Sequence, residues 1–325
     1  MKILNLNFKF GMFLLLVFST IIFFGNNVFG QQVSKSNEIL QTSFQNENPL
    51  YLVNIGSGDL AVRYKKGKGT PLVFVHGSWD DHHSWMPVAV QLTRELNNPI
   101  IIYDRRGHGA SSPDTQQGTI SQDVNDVLLL ITKLGFEKAH FIGHSYGANI
   151  VVQLASLYPE KAESIVLYEP PIFGLLKDKP EYKTEMQAVK KAMTTAKTLL
   201  ENGSVEEGTI HFVEKVAFGE NSWQDIFDER ARSTMTADFR TWLDQSNDPE
   251  RLNIQPENLN NFKGNITVIS GTASIPVYPA VVEELKRKVS KIRTKTIPDA
   301  AHGGLVSHPT ETSNVILEHI KKSEK

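Results

Sequence analysis

Apolar residues along this chain fall into two alternating patterns. Short, nearly continuous apolar runs occupy Pro71–Val75, Pro99–Tyr103, Ala139–Gly143, Ala162–Tyr168 and Ile266–Ser270, and Ile292–Ile297 reads as one more strand. Runs of this length, rich in Val, Ile and Phe, predict strands buried on both faces. Asp59–Lys65 is a further β-rich run. Lys66-Gly67-Lys68-Gly69 after it predicts a hairpin into Pro71–Val75. Between the runs lie stretches with helical spacing: Trp85–Leu96, Ser121–Leu134, Val281–Val289 and Thr310–Lys321. In the second, Val124, Val127, Leu128 and Ile131 share one face and Ser121 stands as the N-cap.

Buried strands alternating with amphipathic helices predict an α/β fold, a mostly parallel sheet covered on both faces. The alternation breaks between Pro170 and Asn261, where the chain is helical, charged and poor in strands. That stretch is expected to be a helical lid, residues 171–261, inserted after the sixth strand and over the C-terminal edge of the sheet. Ligands bind at that edge in open α/β sheets. The core is then residues 50–170 and 262–325. No internal repeat is visible.

The first 30 residues stand apart. Lys2 and Lys9 precede an almost wholly apolar run, Gly11 to Gly25, and Val28-Phe29-Gly30 ends it. This predicts a secretory signal peptide cleaved near Gly30–Gln31 and a secreted or periplasmic protein. The rival is an uncleaved membrane anchor, for which the run is short against the roughly 20 residues of a spanning helix. Residues 31–49, rich in Gln, Asn and Ser, read as a flexible leader. The chain has 325 residues, 40% of them hydrophobic, with no cysteine and a formal charge of -2. Its balance, without a basic block, points away from nucleic acid.

The candidate chemistry centres on Gly143-His144-Ser145-Tyr146-Gly147, between an apolar strand and a helix. This is a G-x-S-x-G nucleophile elbow in its strand–turn–helix setting. Ser145 is the candidate nucleophile, and a serine needs a base to take its proton. His302, in Asp299-Ala300-Ala301-His302-Gly303-Gly304 after a strand, is the candidate base. The other histidines fit less well: His308 opens a helix, and His76 and His108 belong to glycine loops.

Four motifs in order carry a family resemblance: Leu72-Val73-Phe74-Val75-His76-Gly77, Tyr103-Asp104-Arg105-Arg106-Gly107-His108-Gly109, the elbow, and Ala300-Ala301-His302. From about residue 50 onward the chain resembles the α/β-hydrolase fold. It is similar to the lidded group of carboxylesterases, C–C bond hydrolases and cofactor-free haloperoxidases. The resemblance implies a Ser–His–acid mechanism with no cofactor. It also implies an oxyanion hole from the backbone N–H of Tyr146 and of Ser78 or Trp79. The serine at the elbow argues against relatives that use an aspartate nucleophile.

The acid departs from the pattern the resemblance implies. Its usual segment, Gly-x-x-Asp, here reads Gly271-Thr272-Ala273-Ser274, and a serine carries no charge to stabilise an imidazolium. Glu169, ending the preceding strand, is the relocated candidate; Asp299, and a dyad without any acid, stay open. On this reading Ser274 is expected to be dispensable. Trp79, Phe173, Trp223 and Trp242 are candidates for an apolar substrate pocket. Asp80-Asp81-His82-His83 matches no standard metal spacing, so no metal is expected. The expected function is an exported serine hydrolase acting on an ester, lactone or other small acyl compound. The alternatives are a perhydrolase-like haloperoxidase and a non-catalytic ligand-binding protein of the same fold. The expected partner is a small-molecule acyl substrate, with no nucleic acid and no stable membrane insertion after signal cleavage.

Overall fold

The structure, a computed structural model, describes residues 39–325. The predicted signal peptide lies outside the described residues. The chain divides into two units, residues 1–47 and 48–325. In the first, residues 39–47 form a helix, α1, where a flexible leader was expected.

The second unit is built on one eight-stranded sheet. Its strands are β1 (Tyr51–Asn54), β2 (Asp59–Lys65), β3 (Leu72–Val75), β4 (Ile100–Tyr103), β5 (Ala139–His144), β6 (Ala162–Tyr168), β7 (Ile266–Gly271) and β8 (Arg293–Ile297). They lie in the order β1-β2-β4-β3-β5-β6-β7-β8. β1 and β2 pair antiparallel with their neighbours, and the rest of the sheet is parallel. Every residue of β3, β4, β5 and β7 is buried. That is the physical reason these strands read as unbroken apolar runs.

The helices are α2 (Met86–Leu92), α3 (Ile120–Lys133), α4 (Tyr146–Leu157), α5 (Lys183–Glu201), α6 (Val205–Phe212), α7 (Ser222–Asp225), α8 (Glu229–Ala237), α9 (Phe239–Asn247), α10 (Pro249–Leu252), α11 (Val277–Lys288), α12 (Gly304–Ser307) and α13 (Pro309–Ser323). Six of them, α5 to α10, fall between β6 and β7. The helical insertion is therefore where the broken alternation placed it.

Two local expectations are corrected. β2 does not form a hairpin with β3: it pairs with β1 and β4, with Val62 opposite both Tyr51 and Tyr103. The fully buried β4 takes the place between β2 and β3. Gly67 serves a chain crossing, because a Cβ there would meet Asn97 O at 2.2 Å. The N-cap of α3 is Thr119, whose Oγ1 accepts from Gln122 N at 3.2 Å, rather than Ser121.

The parallel strands set the site. β3 to β8 all run the same way, so the loops after β3, β5, β6, β7 and β8 emerge at one edge. The chain passes from β3 to β4 on one side and resumes at β5 on the other. The β3 and β5 loops thus flank the point where strand order reverses, the place in such sheets where ligands bind.

Candidate active site

Ser145 sits between β5 and α4 with φ 52° and ψ -124°, a backbone conformation L-residues rarely adopt. The turn closes only because its flanking residues lack side chains. A Cβ on Gly143 would meet Gly147 O at 2.4 Å, and one on Gly147 would meet Val75 O at 2.3 Å. Ser145 is partly exposed while its neighbours are buried. Tyr146 is the first residue of α4, so its N–H has no acceptor within the helix.

Three hydrogen bonds draw the loops together. Ser145 N donates to Tyr168 O at 2.9 Å, which fixes the elbow beside the end of β6. His144 Nε2 donates to His302 O at 2.8 Å, joining the elbow to the loop after β8. Tyr168 Oη donates to Ala301 O at 2.9 Å, fixing the same loop one residue earlier. Tight packing enforces this: a Cβ on Gly304 would lie 1.9 Å from the Tyr168 hydroxyl.

Glu169, next to Tyr168, is fully buried. Its Oε2 lies 2.8 Å from His302 Nδ1. Its Oε1 accepts from Gly271 N at 2.9 Å and from Ser274 Oγ at 2.5 Å. The carboxylate bridges the ends of β6 and β7 and the β8 loop. Asp299 faces solvent instead, at φ 59°, and its N donates to Thr272 Oγ1 at 2.8 Å. Ser274 is not the idle residue expected of it; its hydroxyl donates to Glu169, which holds the charge that position lacks.

His302 is buried. With Nδ1–H directed at Glu169, the imidazole leaves Nε2 as its basic nitrogen. Burial pushes its pKa below the ordinary histidine value, against an upward pull from the Glu169 hydrogen bond. The ring is therefore neutral near pH 7, the state a general base needs. Tyr278 stacks on it with centroids 4.0 Å apart, and Phe218 approaches to 5.5 Å.

The loop after β3 abuts the elbow: a Cβ on Gly77 would lie 3.3 Å from Ser145 Cβ. Gly77 O is held by Arg105 Nη2 at 2.9 Å and by His76 Nδ1 at 3.0 Å. His76 Nε2 accepts from Arg105 N, so its proton sits on Nδ1 and donates to that carbonyl. A trans peptide then turns the Ser78 N–H away from Arg105. Burial, aided by Arg105, pushes His76 and His108 well below the usual histidine value, which suits their supporting places. Arg105 also lies over the Tyr146 ring at 4.8 Å and pairs with Asp123 at 3.1 Å.

The expected pocket residues divide. Phe173 packs on Tyr278 at 5.8 Å, one ring away from His302. Trp79 stacks on Trp242 at 5.7 Å, and both meet Phe212. Trp223 lines a hollow with Glu206, Gln224, Glu229, Arg232, Ser233 and Thr236, all inside the inserted helices. Asp81, His82 and His83 do converge, with ligand atoms within 4.8 Å. Yet His82 Nδ1 is bound to Asp104 at 2.7 Å, and the Arg230 guanidinium is 3.1 Å from Asp81.

Tyr278, Tyr168 and His144 escaped sequence reading. An aromatic at a helix start or strand end carries the same pattern as any core residue. His144 lay in plain view within the elbow, but only the fold brings His302 to it.

The chain is similar to several known proteins. The acetyltransferase component of the acetoin cleaving system of Cupriavidus necator is 35% identical over 121 residues, 35% of this chain and 31% of that protein. The 2-(acetamidomethylene)succinate hydrolase of Mesorhizobium japonicum is 32% identical over 114 residues, 35% of this chain and 40% of that one. The chain thus spans well under half the length of these curated relatives. A malate-bound esterase from Thermogutta terrifontis superposes with a TM-score of 0.65 at 19% identity, over 85% of this chain and 99% of that one. Residues 72–315, from β3 into α13, match a single family description that takes in the elbow, the helical insertion and the His302 loop; the chain belongs to the alpha/beta hydrolase family.

Proposed function

We propose that the protein is an exported serine hydrolase that cleaves an ester, a lactone or another small acyl compound through Ser145, His302 and Glu169. One observation carries the reading: a fully buried carboxylate lies 2.8 Å from Nδ1 of a histidine whose loop is tied to the elbow. Ser145 Oγ attacks the substrate carbonyl as His302 Nε2 takes its proton. Glu169 holds the imidazole tautomer and stabilises the imidazolium that forms. The Tyr146 N–H and an N–H of Ser78 or Trp79 receive the oxyanion. His302 returns the proton to the leaving group. Water, deprotonated by the same nitrogen, then releases the acid and restores Ser145. Hydrolases among the relatives favour this chemistry. The helices of residues 171–261 act in it as a lid, and the N-terminal pattern supports export. The non-catalytic reading drew on the missing acid, and the Glu169–His302 contact favours the catalytic one.

A fluorophosphonate probe on the folded protein tests the proposal. Wild-type protein is expected to be labelled at Ser145, and Ser145→Ala to lose both labelling and ester turnover. Undiminished turnover in a folded Ser145→Ala protein defeats it.

A further inference from the structure

Glu169 accounts for one edge of the His302 imidazole, at Nδ1. The face of that ring has a partner of its own. Tyr278, the second residue of α11, is 2% exposed, and its ring lies over the imidazole with centroids 4.0 Å apart and planes only 20° apart. His144 and Phe218 also approach, at 4.7 Å and 5.5 Å, but tilted by 44° and 58°. Among the described residues, Tyr278 is therefore the ring that lies flat on the base. It is fixed from outside its own helix. Its Oη donates to Val216 O at 3.1 Å, in the single turn of π-helix Val213–Ala217 within the insertion. Phe173 packs against it at 5.8 Å.

A general base at this position becomes an imidazolium as it takes the proton of Ser145. His302 is buried, and burial disfavours that charge. The face of a tyrosine ring attracts a cation within about 6 Å of its centroid, and more strongly where water is excluded. The Tyr278 ring meets both conditions. Its phenol stays protonated, because burial and then Glu169 push it well above the ordinary tyrosine value, against a pull from Arg251. The attraction is thus that of the ring face, not of a phenolate. The other charged or titratable groups facing His302 are Glu169 and Asp80, which favour its charged form, and His144, which opposes it. A flat ring at 4.0 Å also leaves the imidazole no room to swing toward Tyr278 and away from Glu169.

We propose that Tyr278 is a positioning residue for the general base: its ring holds the imidazole of His302 against Glu169 and stabilises the imidazolium formed when Ser145 gives up its proton. The proposal rests on the reading of Ser145 and His302 as a hydrolytic pair, and it adds a fourth group to that machinery.

The test is the rate at which a fluorophosphonate labels Ser145, followed from pH 4 to pH 9 in wild type, Tyr278→Phe and Tyr278→Leu, with folding checked by circular dichroism. Labelling needs the neutral base, so the rate falls on the acid side as His302 gains a proton. Tyr278→Leu, apolar without a π face, should lower the plateau rate about 3- to 30-fold, the worth of a cation–π contact. It should also move the acid limb to lower pH, because an imidazolium without the ring is less stable. Tyr278→Phe keeps the ring and loses only the hydroxyl. It should retain most of the rate and the position of the limb. A folded Tyr278→Leu protein labelled within about threefold of wild type overturns the proposal. So does an acid limb that stays in place or moves up, as it would if the ring merely kept water out. A loss in Tyr278→Phe as large as in Tyr278→Leu also overturns it, by assigning the effect to the hydroxyl. Each of these leaves the hydrolase reading standing. Wild-type protein that is not labelled at Ser145 defeats the hydrolase reading, and this proposal with it.

Discussion

Strain is concentrated at individual residues of the site. Among the described residues, four other than glycine have positive φ: Ser145, Glu169, Asn221 and Asp299. Such conformations cost about 1–3 kcal/mol each and persist where surroundings over-determine them. Here the surroundings are visible. Ser145 N is held by Tyr168 O, Glu169 N by Ile269 O at 3.0 Å, and Asp299 N by Thr272 Oγ1. The twist at Glu169 turns its side chain along the edge of the sheet, toward Gly271, Ser274 and His302 at once. Glu169→Gln should keep the shape and lose the charge. A comparable Asp-to-Asn change in a serine protease costs about 10⁴ in turnover, and a drop of several orders of magnitude is expected here. Turnover within about tenfold of wild type, in a protein folded by circular dichroism, would rule Glu169 out as the acid. Ser274→Ala should lower kcat by roughly 10-fold or more, the worth of a hydrogen bond to a charged group. An unchanged kcat would restore the view that Ser274 is dispensable.

At the scale of elements, the inserted helices are stitched to the sheet by polar contacts as well as aromatic ones. Ser78 Oγ donates to Gln245 Oε1 of α9 at 2.7 Å, beside the Trp79–Trp242 stack. The loop after β3 and the insertion are thus joined by a hydrogen bond and a ring stack. A second contact is pH-sensitive. Asp238, between α8 and α9, accepts from Gly109 N at 3.4 Å and lies 3.5 Å from His108 Nδ1. Burial, with Asp81 and Asp104 nearby, pushes its carboxyl up to about 7, against the pull of Gly109 N and Arg105. An acid raised in the folded state binds more protons folded than unfolded. Its contribution to stability is complete below the ordinary carboxylate range and is lost as pH rises through about 7. Asp238→Asn removes that loss. Its melting temperature relative to wild type should improve between pH 5 and pH 8 by a few degrees, for a gain of about 1–2 kcal/mol. A difference that stays flat across that range would show that Asp238 does not titrate there.

At the scale of the whole molecule, five loops from one sheet edge supply every candidate group. A parallel sheet makes this possible, because its strand ends share one side while its helices cover the faces. Among the described residues no helix is long and apolar enough to cross a membrane. The proposal of export rests on the sequence of the residues before them. Protein recovered from the native host should begin at or near Gln31, with its formal charge moved from -2 to -4 by loss of Lys2 and Lys9. Intact-mass and N-terminal peptide spectrometry decide this. A chain retained from Met1 would favour the anchor over the cleaved signal.

Much of this protein is written in local pattern. Unbroken apolar runs specify strands buried on both faces, and β6 matches its run residue for residue. Gly143 and Gly147 mark the elbow because no other residue fits there. Pairing partners were not legible. Lys66–Gly69 resembles a hairpin turn, and only competition for the buried central positions seats β4 between β2 and β3. The acid was legible only as a choice, since Glu169 and Asp299 both stand at strand ends. Distance decided between their positions: one carboxylate is buried against His302 and Ser274, the other faces solvent. The roles of Tyr278 and Ser274 had no local signal at all. A stacked ring and a supporting hydroxyl are defined by what surrounds them, and those surroundings come from chain segments far apart in sequence.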